Sequence, residues 1–112
     1  FASIGQALEV MNNGDFIVVA PGTYQENLYS NGQFGYMIAM DGPDSTIIDG
    51  GGQGSCLFIE NAPNSWLIGG FTFTNGYTEG NGGAIGAINS AGIVLDGNRF
   101  FQQGIGEPLL LI

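Results

Sequence analysis

The sequence predicts an all-β chain wound as a parallel β-helix, and three observations carry that expectation. First, Trp66–Gly76 lines up with Val94–Gly104 at a shift of 28 positions. The shift places Leu67 on Leu95, Gly69 on Gly97, Phe73 on Phe101 and Gly76 on Gly104. Self-similarity at roughly 20–50 residues marks a solenoid or similar array. Second, the local texture is short apolar runs broken by Gly, Asn and Asp, which is strand and turn. Third, the 112 residues include 21 Gly, far above the usual share of about 7 %. They follow no Gly-X-Y period, which excludes collagen. An apolar content of 44 % with eight Phe excludes a disordered linker. The glycines therefore read as turn positions.

A length of 112 residues fits one domain. The expected division is a helical cap over 1–14, coils over 15–107 and a tail over 108–112. At roughly 26–28 residues per coil the chain holds about three to four coils, near the minimum at which stacking buries a continuous core.

The elements follow in order. Residues 3–13 predict a helix, with Ile4, Ala7, Leu8 and Met11 on one face. Ser3 and Gln6 have the form of a capping box, and Asn13-Gly14 supplies a stop. Gly5 weakens the helix by about 1 kcal/mol relative to Ala. Such a helix can cover the open end of the first coil and protect its strand edge. Phe16–Ala20 is a continuous apolar strand, the pattern of burial in a parallel array. Pro21-Gly22 ends it, and Thr23–Leu28 alternates. Residues 29–35 read as a polar turn, Tyr36–Met40 as a strand, and Asp41-Gly-Pro-Asp44 as a turn. Thr46–Ile48 is a strand before a Gly-rich turn. Cys56–Glu60, Trp66–Ile68 and Phe71–Thr74 form three sides of one coil, and Ala84–Ile88, Ile93–Leu95 and Phe100–Gln102 those of the next. Ile47–Gly50 also matches Phe73–Gly76 at a shift of 26, so the register drifts between about 26 and 28 residues while strands stay stacked.

Read in order, Ser3-Ile-x-x-Ala-Leu8, Gly14-Asp-x-Ile-Val-Val-Ala-Pro-Gly-Thr-Tyr-x-Glu26, Thr46-Ile-Ile-Asp-Gly50 and Gly70-Phe-Thr-Phe-Thr-Asn-Gly76 resemble the start of right-handed parallel β-helix proteins of the pectin-lyase-like superfamily. Gly82-Gly-Ala-Ile85 after Phe73-Thr-Asn75 resembles the repeat of polymorphic outer-membrane proteins and related adhesins. The resemblance covers roughly residues 3–104. It implies right-handed winding and a bacterial, secreted or cell-surface protein. It does not select one activity, because the superfamily contains lyases, hydrolases, epimerases, adhesins and phage tailspikes.

Composition narrows the partners. Ten acidic residues stand against one Arg, with no Lys or His, for a net charge of −9. Such a chain repels nucleic acid and anionic lipid, and it disfavours a polyanionic substrate unless cations bridge it. No apolar run approaches the ~20 residues that span a membrane, so no membrane insertion is expected. No signal peptide is visible in the sequence, which reads as mature from Phe1, so any targeting segment is expected to have been removed. Cys56 has no partner for an intrachain disulfide and reads as a small buried hydrophobe. A catalytic thiol wants a basic neighbour, and Arg99, the only Arg, is 43 positions away.

Four functional classes make different demands on these residues. A glycoside hydrolase needs facing carboxylates about 5–10 Å apart. Under the 28-residue shift Asp96 falls on Ile68 and Glu60 on Ile88, and at 26 residues Asp49 matches Asn75. A lyase of this superfamily commonly uses Arg or Lys as base beside calcium-holding acids, and Arg99 is the one candidate, its alternative being a solvated or coil-edge Arg next to Phe100. Calcium is the one cofactor the sequence suggests: Asp41, Asp44 and Asp49 fall in two nearby turns whose oxygens can ligate it. Their alternative role is capping their own turns. Gly51–Phe58 resembles one calcium β-roll repeat, but Cys56 stands where the ligand Asp belongs. Ice binding needs a Thr array; Thr72 and Thr74 share a face, yet the same shift puts Phe100 and Gln102 beside them.

A structural, adhesive or carbohydrate-binding module needs only a stacked surface. Tyr24, Tyr29, Tyr36, Tyr77 and Trp66 are its candidates for exposure, with ordinary packing the alternative for each. The expectation is therefore a secreted or cell-surface module without a catalytic site of its own, its partners polysaccharide or cell-surface components. The alternative is the N-terminal portion of a pectate-lyase-like polysaccharide lyase or glycoside hydrolase whose catalytic groups lie beyond residue 112. The last coil, uncapped in sequence, carries an expectation of self-association or continuation into a longer β-helix.

Overall fold

A computed structural model describes residues 3–101, 103–104 and 106–112. Among them a short helix, α1 (Ile4–Val10), precedes twelve strands. These are β1 (Phe16–Val19), β2 (Gly22–Gln25), β3 (Leu28–Asn31), β4 (Tyr36–Ala39), β5 (Thr46–Asp49), β6 (Leu57–Glu60), β7 (Trp66–Gly69), β8 (Thr72–Thr74), β9 (Ile85–Ile88), β10 (Ile93–Asp96), β11 (Arg99–Phe101) and β12 (Leu109–Leu111). Every third strand stacks on the last. The three sheets run β1-β4-β7-β10, β2-β5-β8-β11 and β3-β6-β9-β12, and all pairings are parallel. The result is a parallel β-solenoid of about three turns with an N-terminal helix.

Alternation within each strand builds the core. Ile17, Met37, Ile68 and Leu95 form one inward column. Tyr24, Ile48, Phe73 and Phe100 form a second, and Leu28, Leu57, Ile85 and Leu109 a third. These columns are buried through the middle coils and half-buried at Leu95, Phe100 and Leu109 in the last. Phe73 and Phe100 stack at 5.6 Å with planes 11° apart.

The helix is tied down at both ends. Ser3 accepts the Gln6 N–H as N-cap. Glu26 accepts the N–H groups of Ile4 and Gly5, each at 2.9 Å, supplying the negative charge that α1 lacks in its own first turn. Gly5 is explained by that contact, since a Cβ there would lie 3.1 Å from Glu26 Oε1. At the other end the Gln33 amide donates to the Leu8 carbonyl at 2.8 Å, and the buried Ser30 hydroxyl donates to Gln33 Oε1 at 2.9 Å. Ile4 and Leu8 are buried over the first coil.

Coil corners use Asn. Asn61 and Asn89 adopt left-handed φ of 55° and 52°, a region Asn tolerates through local hydrogen bonding. Asn61 Nδ2 donates to Asn31 Oδ1 at 3.0 Å, and Asn89 Nδ2 to Asn61 Oδ1 at 2.7 Å. Coils also meet where no side chain fits: a Cβ on Gly76 would lie 1.8 Å from the Gly83 carbonyl.

Several expectations are corrected. The helix stops at Val10, because Met11 is already extended with φ −68° and ψ 147°. Residues 29–35 are not simply a turn: β3 occupies Leu28–Asn31, and its small Ser30 points inward. The alternation over Thr23–Leu28 is broken between β2 and β3, where Glu26 reaches α1. Phe16–Val19 is buried on one face only, with Phe16 and Val18 exposed. The tail contributes β12, paired with β9. Gln102 of the expected Phe100–Gln102 strand lies outside the described residues.

The most consequential correction concerns the repeat. Leu67 stacks on Val94 and Phe73 on Phe100, a step of 27 residues. The 28-residue step holds only in the third sheet, where Leu57 pairs with Ile85. Because side chains alternate with period two, the one-residue slip inverts faces. Leu67 points outward while Leu95 points inward, so their match in sequence is not a match in space. Across the solenoid the step ranges from 20 residues (Ile17 to Met37) to 31 (Met37 to Ile68). Corners absorb this variation, and stacking is preserved.

Candidate functional site

The outward residues of the first sheet form an apolar face. Phe16, Tyr36, Leu67 and Val94 make one column, and Val18, Ile38, Gly69 and Asp96 the next. Phe16 is 66 % exposed, Val18 54 % and Val94 50 %. The Phe16 and Tyr36 rings stack at 4.1 Å, 7° from parallel. Stacked aromatics hold each other in place, so the pair is a preformed feature of the strands that carry it. Strand β1 ends the sheet, leaving Phe16 as the outermost ring.

The third sheet carries a second aromatic pair, Tyr29 and Phe58, at 6.2 Å. Phe58 also lies across Gly86, which pairs with it in the next coil. There a Cβ would meet the ring at 2.8 Å. Tyr29 is exposed, whereas Phe58 is half-buried by this packing.

Of the five aromatics expected at the surface, Tyr29 and Tyr36 are exposed and Tyr24 and Tyr77 half-buried. Trp66 is 1 % exposed, and its indole N–H donates to the Gln33 carbonyl at 3.0 Å. Its polar handle is satisfied inside the coil, which explains how so large a residue is buried. Phe16, now central to the face, was missed because a continuous apolar run reads as a strand buried on both sides. In the solenoid only the inward face of β1 is covered, and its edge position leaves Phe16 open.

Two of the three acidic candidates have partners of their own. Asp49 Oδ1 accepts the Gly51 N–H at 2.8 Å, closing its own turn. Asp44 pairs with Arg99 across the second sheet, and both side chains are well exposed, so the pair is worth little in stability. Asp41 is exposed in the turn after β4. Among the described residues no three His, Cys, Asp or Glu side chains gather as a metal site. In the true register Asp49 faces Thr74, Asp96 faces Gly69 and Glu60 faces Ile88. Thr72 and Thr74 face Arg99 and Phe101, so the Thr pair is not continued into the next coil.

Cys56 is buried, its Sγ 3.3 Å from the Thr74 carbonyl. Burial pushes the thiol pKa up to about 11. It is held protonated and shielded, the opposite of what a nucleophile needs. Among the described residues no helix is long and apolar enough to cross a membrane. Comparison with protein-family models, with curated proteins and with solved structures found no match.

Proposed function

We propose that the chain is a binding module that engages neutral polysaccharide through the outward face of its first sheet. The carrying observation is the stacked pair Phe16–Tyr36 with Val18, Ile38 and Val94 beside it. The C–H faces of a pyranose ring are apolar and pack on aromatic and aliphatic surface. Strands stacked at about 4.8 Å present such surface in a fixed row. The net charge of −9 favours a neutral polymer over a polyanionic one. A secreted or cell-surface setting belongs to the same reading. So does kinship with right-handed pectin-lyase-like β-helices, which the ordered motifs from Ser3 to Gly76 support.

The test is retention on insoluble cellulose and chitin, with polygalacturonate as the charged comparison. The wild-type chain should be retained on a neutral polymer, and F16A/Y36A should lose at least tenfold of that affinity. Equal retention of both proteins, or none on any polymer, would sink the proposal. Calcium-dependent cleavage of polygalacturonate would support the lyase alternative in its place.

A further inference from the structure

Beside that face, sharing the strand of Phe16 and Val18 with it but using backbone groups instead of outward side chains, lies an unfilled strand edge. Tyr36 N donates to the Asp15 carbonyl at 3.0 Å and Met40 N to the Val19 carbonyl at 3.2 Å. In a parallel pair the backbone groups of alternate residues point to opposite sides. Asp15, Ile17 and Val19 therefore serve β4, while Phe16 and Val18 turn their N–H and C=O groups to the open edge. Among the described residues no strand pairs with that edge.

The helix does not close it. α1 packs chiefly over β3 and only partly over β1. Between α1 and β1 a groove of about 330 Å³ remains, lined on the helix side by Ala7, Val10 and Met11 and floored by Phe16–Ala20. That volume is at the low end of ligand sites. Its floor runs along the five consecutive residues Phe16–Ala20 of and just after β1, and Val10 is 62 % exposed on its wall. Exposed edges of this kind recruit an added strand, whose main chain supplies affinity and whose alternate side chains supply selectivity.

Charge selects the occupant. The chain carries ten acids, and its single Arg is already paired with Asp44. Asp15 lines the groove. A second copy brings another −9 and is repelled. We propose that the β1 edge binds an extended peptide of alternating apolar and basic residues as an additional strand, with its apolar side chains under Ala7, Val10 and Met11.

The experiment titrates ¹⁵N-labelled protein with acetyl-Lys-Val-Lys-Val-Lys-Val-amide. Amide shifts should cluster at Phe16–Ala20 and Ala7–Met11. The same peptide N-methylated at alternate residues, which cannot complete a strand ladder, should bind at least tenfold more weakly. V18P should do likewise, because Val18 N–H serves the open edge and its loss breaks no ladder bond of the fold. If V18P fails to fold, the N-methylated peptide alone decides. Equal binding of hexalysine would reduce the effect to bulk charge and overturn the proposal. So would shifts confined to β10–β12, self-association at this edge, or no shift at millimolar peptide. None of these outcomes bears on polysaccharide retention, so the two proposals fail separately.

Discussion

The Glu26 carboxylate accepts the Gly5 backbone N–H at 2.9 Å, with Ile4 donating at the same distance to its other oxygen. One side chain from the first coil thus caps a helix about twenty residues earlier in the chain. Glu26→Ala should cost about 1–3 kcal/mol, the range for losing charged hydrogen bonds to backbone donors. Chemical denaturation measures the loss, and amide exchange locates it. Protection should fall over Ile4–Val10 and persist in β5–β9. Uniform loss of protection would show instead that the helix and coils form one cooperative unit.

Asn61 is the middle member of the corner chain and both gives and takes a side-chain hydrogen bond. Asn61→Ala should destabilise by about 1–2 kcal/mol, combining lost bonds with the left-handed backbone that Ala disfavours. Asn61→Gly keeps the backbone and loses only the bonds, so it should cost less. Urea midpoints of the two variants measure the order, and an inverted order would contradict this division.

Thr46 is buried, and its hydroxyl is the buried side-chain polar atom without a hydrogen-bond partner among the described residues. Thr46→Val replaces that hydroxyl with a methyl of similar shape. A stabilisation of about 1 kcal/mol is expected, from removing an unmet desolvation penalty. A fall in thermal midpoint would argue that the oxygen is solvated within the fold.

Cys56 predicts an alkaline loss of stability. Its pKa is raised from 9.0 to about 11 in the folded chain, chiefly by burial. Between those values the folded state holds a proton that the unfolded state has released. The contribution is therefore complete below pH 9 and is lost as pH rises through 11, by roughly 2–3 kcal/mol in all. Urea midpoints at pH 8 and pH 10.5 should diverge in the wild type. Cys56→Ala should flatten that divergence.

How much of this was legible in sequence is best seen at Phe73. Its burial, strand and place in a repeating coil were all readable from the alternation around it. Its partner was not. Identity favoured Phe101, but the ladder places Phe100 over it, because the corner between β9 and β10 is one residue shorter than a 28-residue coil needs. Sequence comparison weighs matching letters, whereas stacking weighs which face a side chain occupies. Ser30 shows a second limit: a polar residue marks a turn in composition, yet here its hydroxyl is satisfied inside the coil by Gln33. Trp66 shows a third, since its exposure depends on whether the Gln33 carbonyl stands within reach. The candidate face was half visible. Tyr36 was named from residue type, while Phe16 needed the knowledge that β1 is an edge.

The corner asparagines have one further property, their direction. Asn89 donates to Asn61 and Asn61 to Asn31, so each amide passes its hydrogen bond the same way along the axis. Aligned amides polarise one another, which gives the solenoid a sense, with a donor offered at Asn31 and an acceptor at Asn89. A coil added at either end with an Asn at this corner would extend the line only in the same orientation. The corner thus acts as a polarity mark, distinguishing one end of the stack from the other independently of the apolar core.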